Sequence, residues 1–373
     1  MVDQKKEPLL LTPGPLTTSS LVKEATLKDW GSRDQDFIEL TARICRRIED
    51  IAGVDPDRTH HVCVPVQGSG TFAVEAALDT VLSRSATVLV LINGAYGHRI
   101  ARICGYIGRS FVTLETAEDQ VPTIEQIEKK LSAEPAITHL ATVHCETTSG
   151  ILNPIEEIAS LAHQKGIGLI IDAMSSLGAL PLDVTELNCA ALVASSNKCL
   201  QGLPGVGFAV MEKTVLAGSE GNATSLSLDL FDQWRNFEKT GQWRFTPPTH
   251  VLAALDQALV ELDEEGGVAG RGTRYQDNCQ TLVDGMRGLG FETYLPDDLQ
   301  APIIVTFHPP KDLKFGFEDF YNRLRDKGFA IYPGKLTQAD SFRMGCIGDL
   351  SAKDMKNAVT AVGAVIGEMG IEV

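Results

Sequence analysis

The chain has 373 residues, enough for more than one folding unit, and 43% of them are hydrophobic, enough for a sizeable core. Its formal net charge of −16 speaks against a nucleic-acid partner, because binding a polyanion needs a basic face. A small anionic substrate stays open, since one local arginine outweighs the global charge at short range.

In chain order, the opening "MVDQKKEPLLLTPGPLTTSS" has too short an apolar run for a signal peptide and reads as an extended arm over residues 1–30. From residue 60 the texture is α/β. Strands are expected at "HVCVPV" (61–66), "TVLVLI" (87–92), "THLATVH" (138–144), "GLIIDA" (168–173), "AALVASS" (190–196) and "VGFAVM" (206–211). Helices such as "TFAVEAALDTVL" and "PIEEIASLAHQKG" lie between them, the latter with Pro near its start and Gly past its end. Buried strands alternating with amphipathic helices predict a mostly parallel sheet sandwiched by helices, a large unit of residues 31–265. The rest, 266–373, reads as a small α+β unit: helical "QTLVDGMRGLGF", a strand in "PIIVTFH", helical "FEDFYNRLRDKG", strands in "FAIYPG" and "SFRMGCIG", and a last helix. No apolar stretch reaches the roughly 18 residues that span a bilayer. The eight cysteines form no CxxC and sit mostly in apolar segments, which reads as reduced thiols in a cytoplasmic protein.

Five places could carry chemistry. "QGSGT" (67–71) follows a strand and opens a helix, so free N–H groups and the helix dipole make Ser69, Gly70 and Thr71 a phosphate cup. A tight turn built on Gly68 and Gly70 explains the same residues. "GSGTFA" also satisfies a dinucleotide fingerprint, but the next strand ends in Asn93-Gly94 where a ribose-binding acid is wanted. Asp172 ends the strand "GLIID", where open α/β sheets bind ligands, or it caps the turn that follows. Lys198, in "ASSNKCLQGLPGVG", comes one strand later at the same kind of end, with no acid nearby in sequence. A phosphate cup, a carboxylate for a protonated ring nitrogen and a Schiff-base lysine are together the protein's side of pyridoxal-phosphate chemistry. In "NGAYGHR", Tyr96 could stack on a cofactor ring or pack in the core, with His98 beside it. Arg343, alone in the apolar "SFRMGCIG", demands an anion: a substrate carboxylate or phosphonate, or an internal acid. His60 and His61 are adjacent and would face opposite sides of a strand, so no metal site is expected.

"DAMSS" followed by "SSNKCLQGLPGVGF" resembles the class V branch of the fold-type I pyridoxal-phosphate aminotransferases. "LLLTPGPLTTS", "DWGSRDQDF", "VQGSGTFAVEA", "NGAYGHR" and "HCETTSGILNPIEEI" narrow the resemblance to the phosphonate-handling members of that branch, over nearly the whole chain. The resemblance implies that Lys198 carries the cofactor and shuttles the proton, and that Asp172 keeps the pyridine nitrogen protonated. It implies that Tyr96 stacks on the ring, where relatives often have tryptophan, and that Ser69, Gly70 and Thr71 hold the phosphate. Thr147 would contact the ring oxygen, and Thr246 would reach the phosphate of a neighbouring subunit in a homodimer with shared sites. Arg343 would clamp the carboxylate of pyruvate or alanine and, in the other half-reaction, a phosphonate. The activity implied is ping-pong transfer of the amino group of 2-aminoethylphosphonate to pyruvate, giving phosphonoacetaldehyde and L-alanine. An alanine–glyoxylate or serine–pyruvate aminotransferase of the same fold is the nearer alternative; a nicotinamide dehydrogenase or a silent binding protein is the farther one.

Overall fold

The computed structural model describes residues 7–54, 60–337 and 339–373, so the start of the expected arm lies outside the described residues. Strand alternation explains the architecture. Along Thr87–Ile92, Leu89 and Leu91 enter one apolar cluster while Val88, Val90 and Ile92 enter another. Leu169 and Ile171 part from Ile170 in the same way, and Leu192 and Ala194 from Ala191 and Val193. A sheet with both faces apolar needs helices on both sides. Gln35–Ile51 covers the first face with Phe37, Leu40, Ile44 and Ile48, at helical spacing. Gly70–Val81 and Ala95–Tyr106 cover the second.

From edge to edge the sheet runs His61–Gly68, Gly205–Glu212, Ala191–Ser195, Gly168–Asp172, His139–Val143, Thr87–Ile92, Ser110–Glu115. Only Gly205–Glu212 runs against the others, pairing antiparallel with both neighbours. The carboxyl ends of the remaining strands therefore share one edge. Asp172 pairs with Val193, so the Asp172 strand and the strand leading to Lys198 are direct neighbours.

A separate apolar core lies around Phe307, Phe320, Phe342 and Val362, where Phe307 and Phe342 stack with centroids 5.6 Å apart. It packs a small antiparallel sheet, Ile304–Phe307, Phe342–Gly345 and Tyr332–Pro333, against Gly267–Gly288 and Ala352–Met369. Expected "FAIYPG" divides: Tyr332–Pro333 joins this sheet, whereas Phe329–Ala330 pairs in parallel with Leu9–Leu10 of the N-terminal arm. Leu11 sinks fully into the same core. The arm is thus stitched to the core around Phe342, and from there it crosses to the carboxyl edge of the large sheet, where Pro13 meets Lys198.

Candidate active site

Lys198 stands just past the end of its strand, half-buried, and its Nζ donates to the Pro13 carbonyl at 2.9 Å. Among the described residues no carboxylate lies within ion-pair distance of it. Burial lowers the amine from its ordinary range, and Lys335 lowers it further against the opposing pull of Tyr96, Cys199 and Asp172. Asp172 is buried, with Oδ1 accepting from Met174 N at 2.9 Å. Burial pushes its carboxyl up to about 6; the Met174 N–H, Arg99 and Lys198 work against that, and Glu146 adds to it. A lowered amine and a raised acid thus sit at neighbouring strand ends, each waiting for a partner that neutralises its burial.

The cup is the N-terminus of Gly70–Val81. Ser69 caps this helix without spending its hydroxyl on it, and a side chain at Gly70 would overlap the Met174 thioether. The Thr71 hydroxyl accepts from Arg99 Nη1 at 3.1 Å, which adds a cation to the cup. Arg99 lies on Ala95–Tyr106 three residues after Tyr96, and its guanidinium stands 4.7 Å from the Tyr96 ring centroid. Lys335 Nζ is 4.1 Å from the same centroid. Burial raises the Tyr96 phenol, but Lys198, Lys335, the neighbouring Thr147 and Arg99 more than reverse this and leave it below its usual value.

Arg343 is delivered by alternation. Phe342 and Met344 enter the small core, so Arg343 between them faces the large sheet's edge. It is 5% exposed; Nε donates to the Pro333 carbonyl at 3.1 Å and Nη1 to the Thr147 carbonyl at 2.7 Å. No carboxylate pairs with it among the described residues. Burial lowers its pKa from the ordinary value. A buried guanidinium held by two carbonyls and matched by no acid is a receptor for an anion from outside the chain.

Residues 57–337 match the family model described as aminotransferase class-V. The chain belongs to the class-V aminotransferases. It is 58% identical over 364 residues, covering 98% of both chains, to a protein of Pseudomonas entomophila (strain L48) named 2-aminoethylphosphonate--pyruvate transaminase. A protein of Pseudomonas aeruginosa (strain PAO1) with the same name is 53% identical over 371 residues, covering 100% of this chain and 99% of that one. Among solved structures, the alanine--glyoxylate aminotransferase of Nostoc sp. superposes with a TM-score of 0.89 at 22% identity, covering 96% of this chain and 95% of that one. Pyridoxamine-pyruvate aminotransferase of Mesorhizobium loti gives a TM-score of 0.88 at 22% identity, covering 98% and 94%. The architecture of this class-V aminotransferase is thus fold-type I, and the dehydrogenase reading of "GSGTFA" is set aside.

The fold gathers Lys198, Asp172, Tyr96, Thr147 and Arg343 around one edge, with the cup of Ser69, Gly70 and Thr71 connected through Arg99. Thr246 is the residue expected at the neighbouring subunit's phosphate. It is exposed in the loop before Thr249–Glu264, without a side-chain hydrogen bond among the described residues. His98 turns to solvent and bonds Glu115 at 3.0 Å. Three neighbours of the site, Arg99, Glu146 and Lys335, received no role from the sequence. Helical spacing from Tyr96 was a signal for Arg99, and a lysine just after the Pro-Gly of "YPGK" was one for Lys335. Glu146 looked like one polar residue among several in "HCETTSG".

Proposed function

We propose that this class-V aminotransferase moves the amino group of 2-aminoethylphosphonate to pyruvate, releasing phosphonoacetaldehyde first and L-alanine last. The observation that carries the substrate class is full-length identity of 52–58% to proteins of that name, far above the 22% shared with the alanine--glyoxylate enzyme. The unmatched Arg343 guanidinium supports it, since this substrate has no α-carboxylate and must be held by its phosphonate.

The residues fit pyridoxal phosphate: a free helix N-terminus with an uncommitted Ser69 hydroxyl, a low-pKa amine without an acid partner, a buried acid, and an aromatic ring beside them. Ser69, Gly70 and Thr71 would hold the phosphate, Asp172 the ring nitrogen, Tyr96 the ring face, Thr147 the ring oxygen and Lys198 the aldehyde carbon. When bound, the cofactor supplies an aldehyde that takes up the amino group and a ring that accepts the electron pair left on carbon. Lys198 Nζ takes the proton from the carbon bearing the substrate nitrogen, a task for which a lowered pKa suits it. Arg343 orients the anionic handle of either substrate.

The same reading includes a homodimer with shared sites. Exposed Leu21, Leu27, Phe72 and Phe245, and the exposed Thr246 beside Phe245, support a partner surface. The division into an arm of 1–30, a large unit of 31–265 and a small unit of 266–373 belongs to it too, supported by the separate core around Phe342. The eight free cysteines support a reducing compartment, the cytoplasm. Among the described residues no helix is long and apolar enough to cross a membrane.

The test is an absorbance spectrum of the cofactor-loaded protein before and after 2-aminoethylphosphonate, with no keto acid present. Conversion of the aldehyde-form band to the amine-form band supports the reading. A band that holds with the phosphonate and shifts with alanine or serine overturns it.

A further inference from the structure

Arg343 supplies a single positive charge, and two of its five N–H groups are spent on the Pro333 and Thr147 carbonyls. That leaves enough for a carboxylate, which has one charge and two oxygens. A phosphonate presents three oxygens and up to two charges, so a site that accepts it needs another donor. The chain as a whole is strongly acidic, so the donor has to be placed locally.

The segment after Pro333 places one. Gly334 N donates to the Ser341 carbonyl at 2.8 Å, closing a loop on the strand that carries Arg343. Thr337 N donates to the Glu118 carboxylate at 3.0 and 3.3 Å, which ties the loop to the opposite unit. Lys335 lies between these two anchors, half-buried, with its ammonium over the Tyr96 ring. Among the described residues its Nζ has neither a hydrogen bond nor an ion pair. Arg99 also stands over the Tyr96 ring, and Arg343 is joined to the start of the same loop through its bond to the Pro333 carbonyl, two residues before Lys335. Contact with an aromatic face satisfies only part of an ammonium's hydrogen-bonding capacity. An ammonium held between two tethers and left without an acceptor is a built receptor for an anion.

We propose that Lys335 is a specificity-determining residue of the substrate site, binding the phosphonate group together with Arg343 and discriminating it from a carboxylate. The proposal rests on the phosphonate reading given above. Arg343 is shared by both half-reactions, whereas Lys335 serves the phosphonate one. Its compact charge on a flexible stem suits a tetrahedral group that has no planar edge for a second fork.

The test uses the cofactor-loaded full chain as wild type, Lys335→Met and Lys335→Arg. Binding of ethylphosphonate and of propionate, two substrate mimics without an amine, is measured by calorimetry; the half-reactions with 2-aminoethylphosphonate and L-alanine are titrated by absorbance. Loss of one charge-assisted hydrogen bond is expected to weaken ethylphosphonate about tenfold or more in Lys335→Met. Propionate binding stays within about twofold, the alanine half-reaction is affected less than the 2-aminoethylphosphonate one because any change at Lys198 is common to both, and Lys335→Arg recovers most of the loss. Unchanged ethylphosphonate binding in Lys335→Met, with normal wild-type turnover of 2-aminoethylphosphonate, overturns this proposal alone. Equal weakening of both mimics also overturns it, because Lys335 would then only hold Tyr96 in place. A wild type that converts alanine but neither converts 2-aminoethylphosphonate nor binds ethylphosphonate removes the functional reading and this proposal together.

Discussion

At Asp172, burial and charge pull in opposite directions. Its carboxyl is pushed up to about 6 in the folded chain, chiefly by burial. An unfolded aspartate titrates near ~3.9, so between about pH 4 and 6 the folded state keeps a proton that the unfolded chain has released. Stability contributed by this group is therefore full below pH 4 and is lost as pH rises to about 6. Asp172→Asn in the cofactor-free protein is expected to exceed the wild type in stability by an amount that grows across this window. The gain levels off above it at roughly 3 kcal/mol, as read from urea denaturation at several pH values. If Asp172 holds the cofactor's ring nitrogen as proposed, loading would give the wild-type carboxylate a cationic partner, and the wild type should gain more midpoint temperature on loading than Asp172→Asn does. His144 runs the other way: burial lowers it to about 4, so its stability contribution is lost as pH falls from about 6.5 toward 4. The two slopes oppose each other, which is why the variant-minus-wild-type difference is the quantity to measure.

The Ala95–Tyr106 helix owes its place to one buried acid. Glu146 is fully buried and accepts from Tyr96 N at 3.0 Å, Gly97 N at 3.2 Å, Thr148 N at 3.1 Å and Thr148 Oγ1 at 2.6 Å. It satisfies two of the orphan N–H groups of the helix start, while Ala95 N donates to Thr148 Oγ1, itself bonded to Glu146, and the pair fixes the helix that carries Tyr96. Glu146→Gln would turn an amide donor toward those donors. It is expected to destabilise the protein by about 2–3 kcal/mol in urea denaturation and to alter the absorbance of the bound cofactor. An unchanged spectrum together with unchanged stability would remove Glu146 from this role. How far elements were legible follows from their exposure. Thr87–Ile92 matches its expected bounds because both its faces are buried and its sequence is continuously apolar. Ser110–Glu115 was not expected, since as an edge strand it is mostly exposed and reads as polar. The bounds of Gly267–Gly288 ran well beyond the expected "QTLVDGMRGLGF", because its first half is polar and glycine-rich and is held by contacts such as Arg271 with Glu265 and the Cys199 carbonyl.

For the whole molecule, the N-terminal arm is the piece that links the core around Phe342 to Lys198. Leu9–Leu10 pairs with Phe329–Ala330, Gly345 N donates to the Leu11 carbonyl, and three residues later the chain lies on Lys198. Gly14 adopts φ +123°, and a Cβ there would stand 2.6 Å from Lys198 Cδ. Gly14→Ala is therefore both strained and in collision with the lysine. It should slow the half-reactions with 2-aminoethylphosphonate and with alanine by at least about tenfold in single-turnover absorbance while the far-ultraviolet dichroism stays that of the wild type. Full activity in Gly14→Ala would mean that the arm merely covers the site. The sequence by itself determined the α/β alternation and the fold-type I family, and it singled out Lys198 and Asp172 as strand-end residues. Those features are written in local periodicity and in motifs contiguous along the chain. Only the tertiary structure decided that Pro13 receives the Lys198 amine, that Glu146 anchors the Tyr96 helix, and that Lys335 reaches the Tyr96 ring. Such contacts join residues far apart in sequence, and no local pattern encodes a distance that only packing sets.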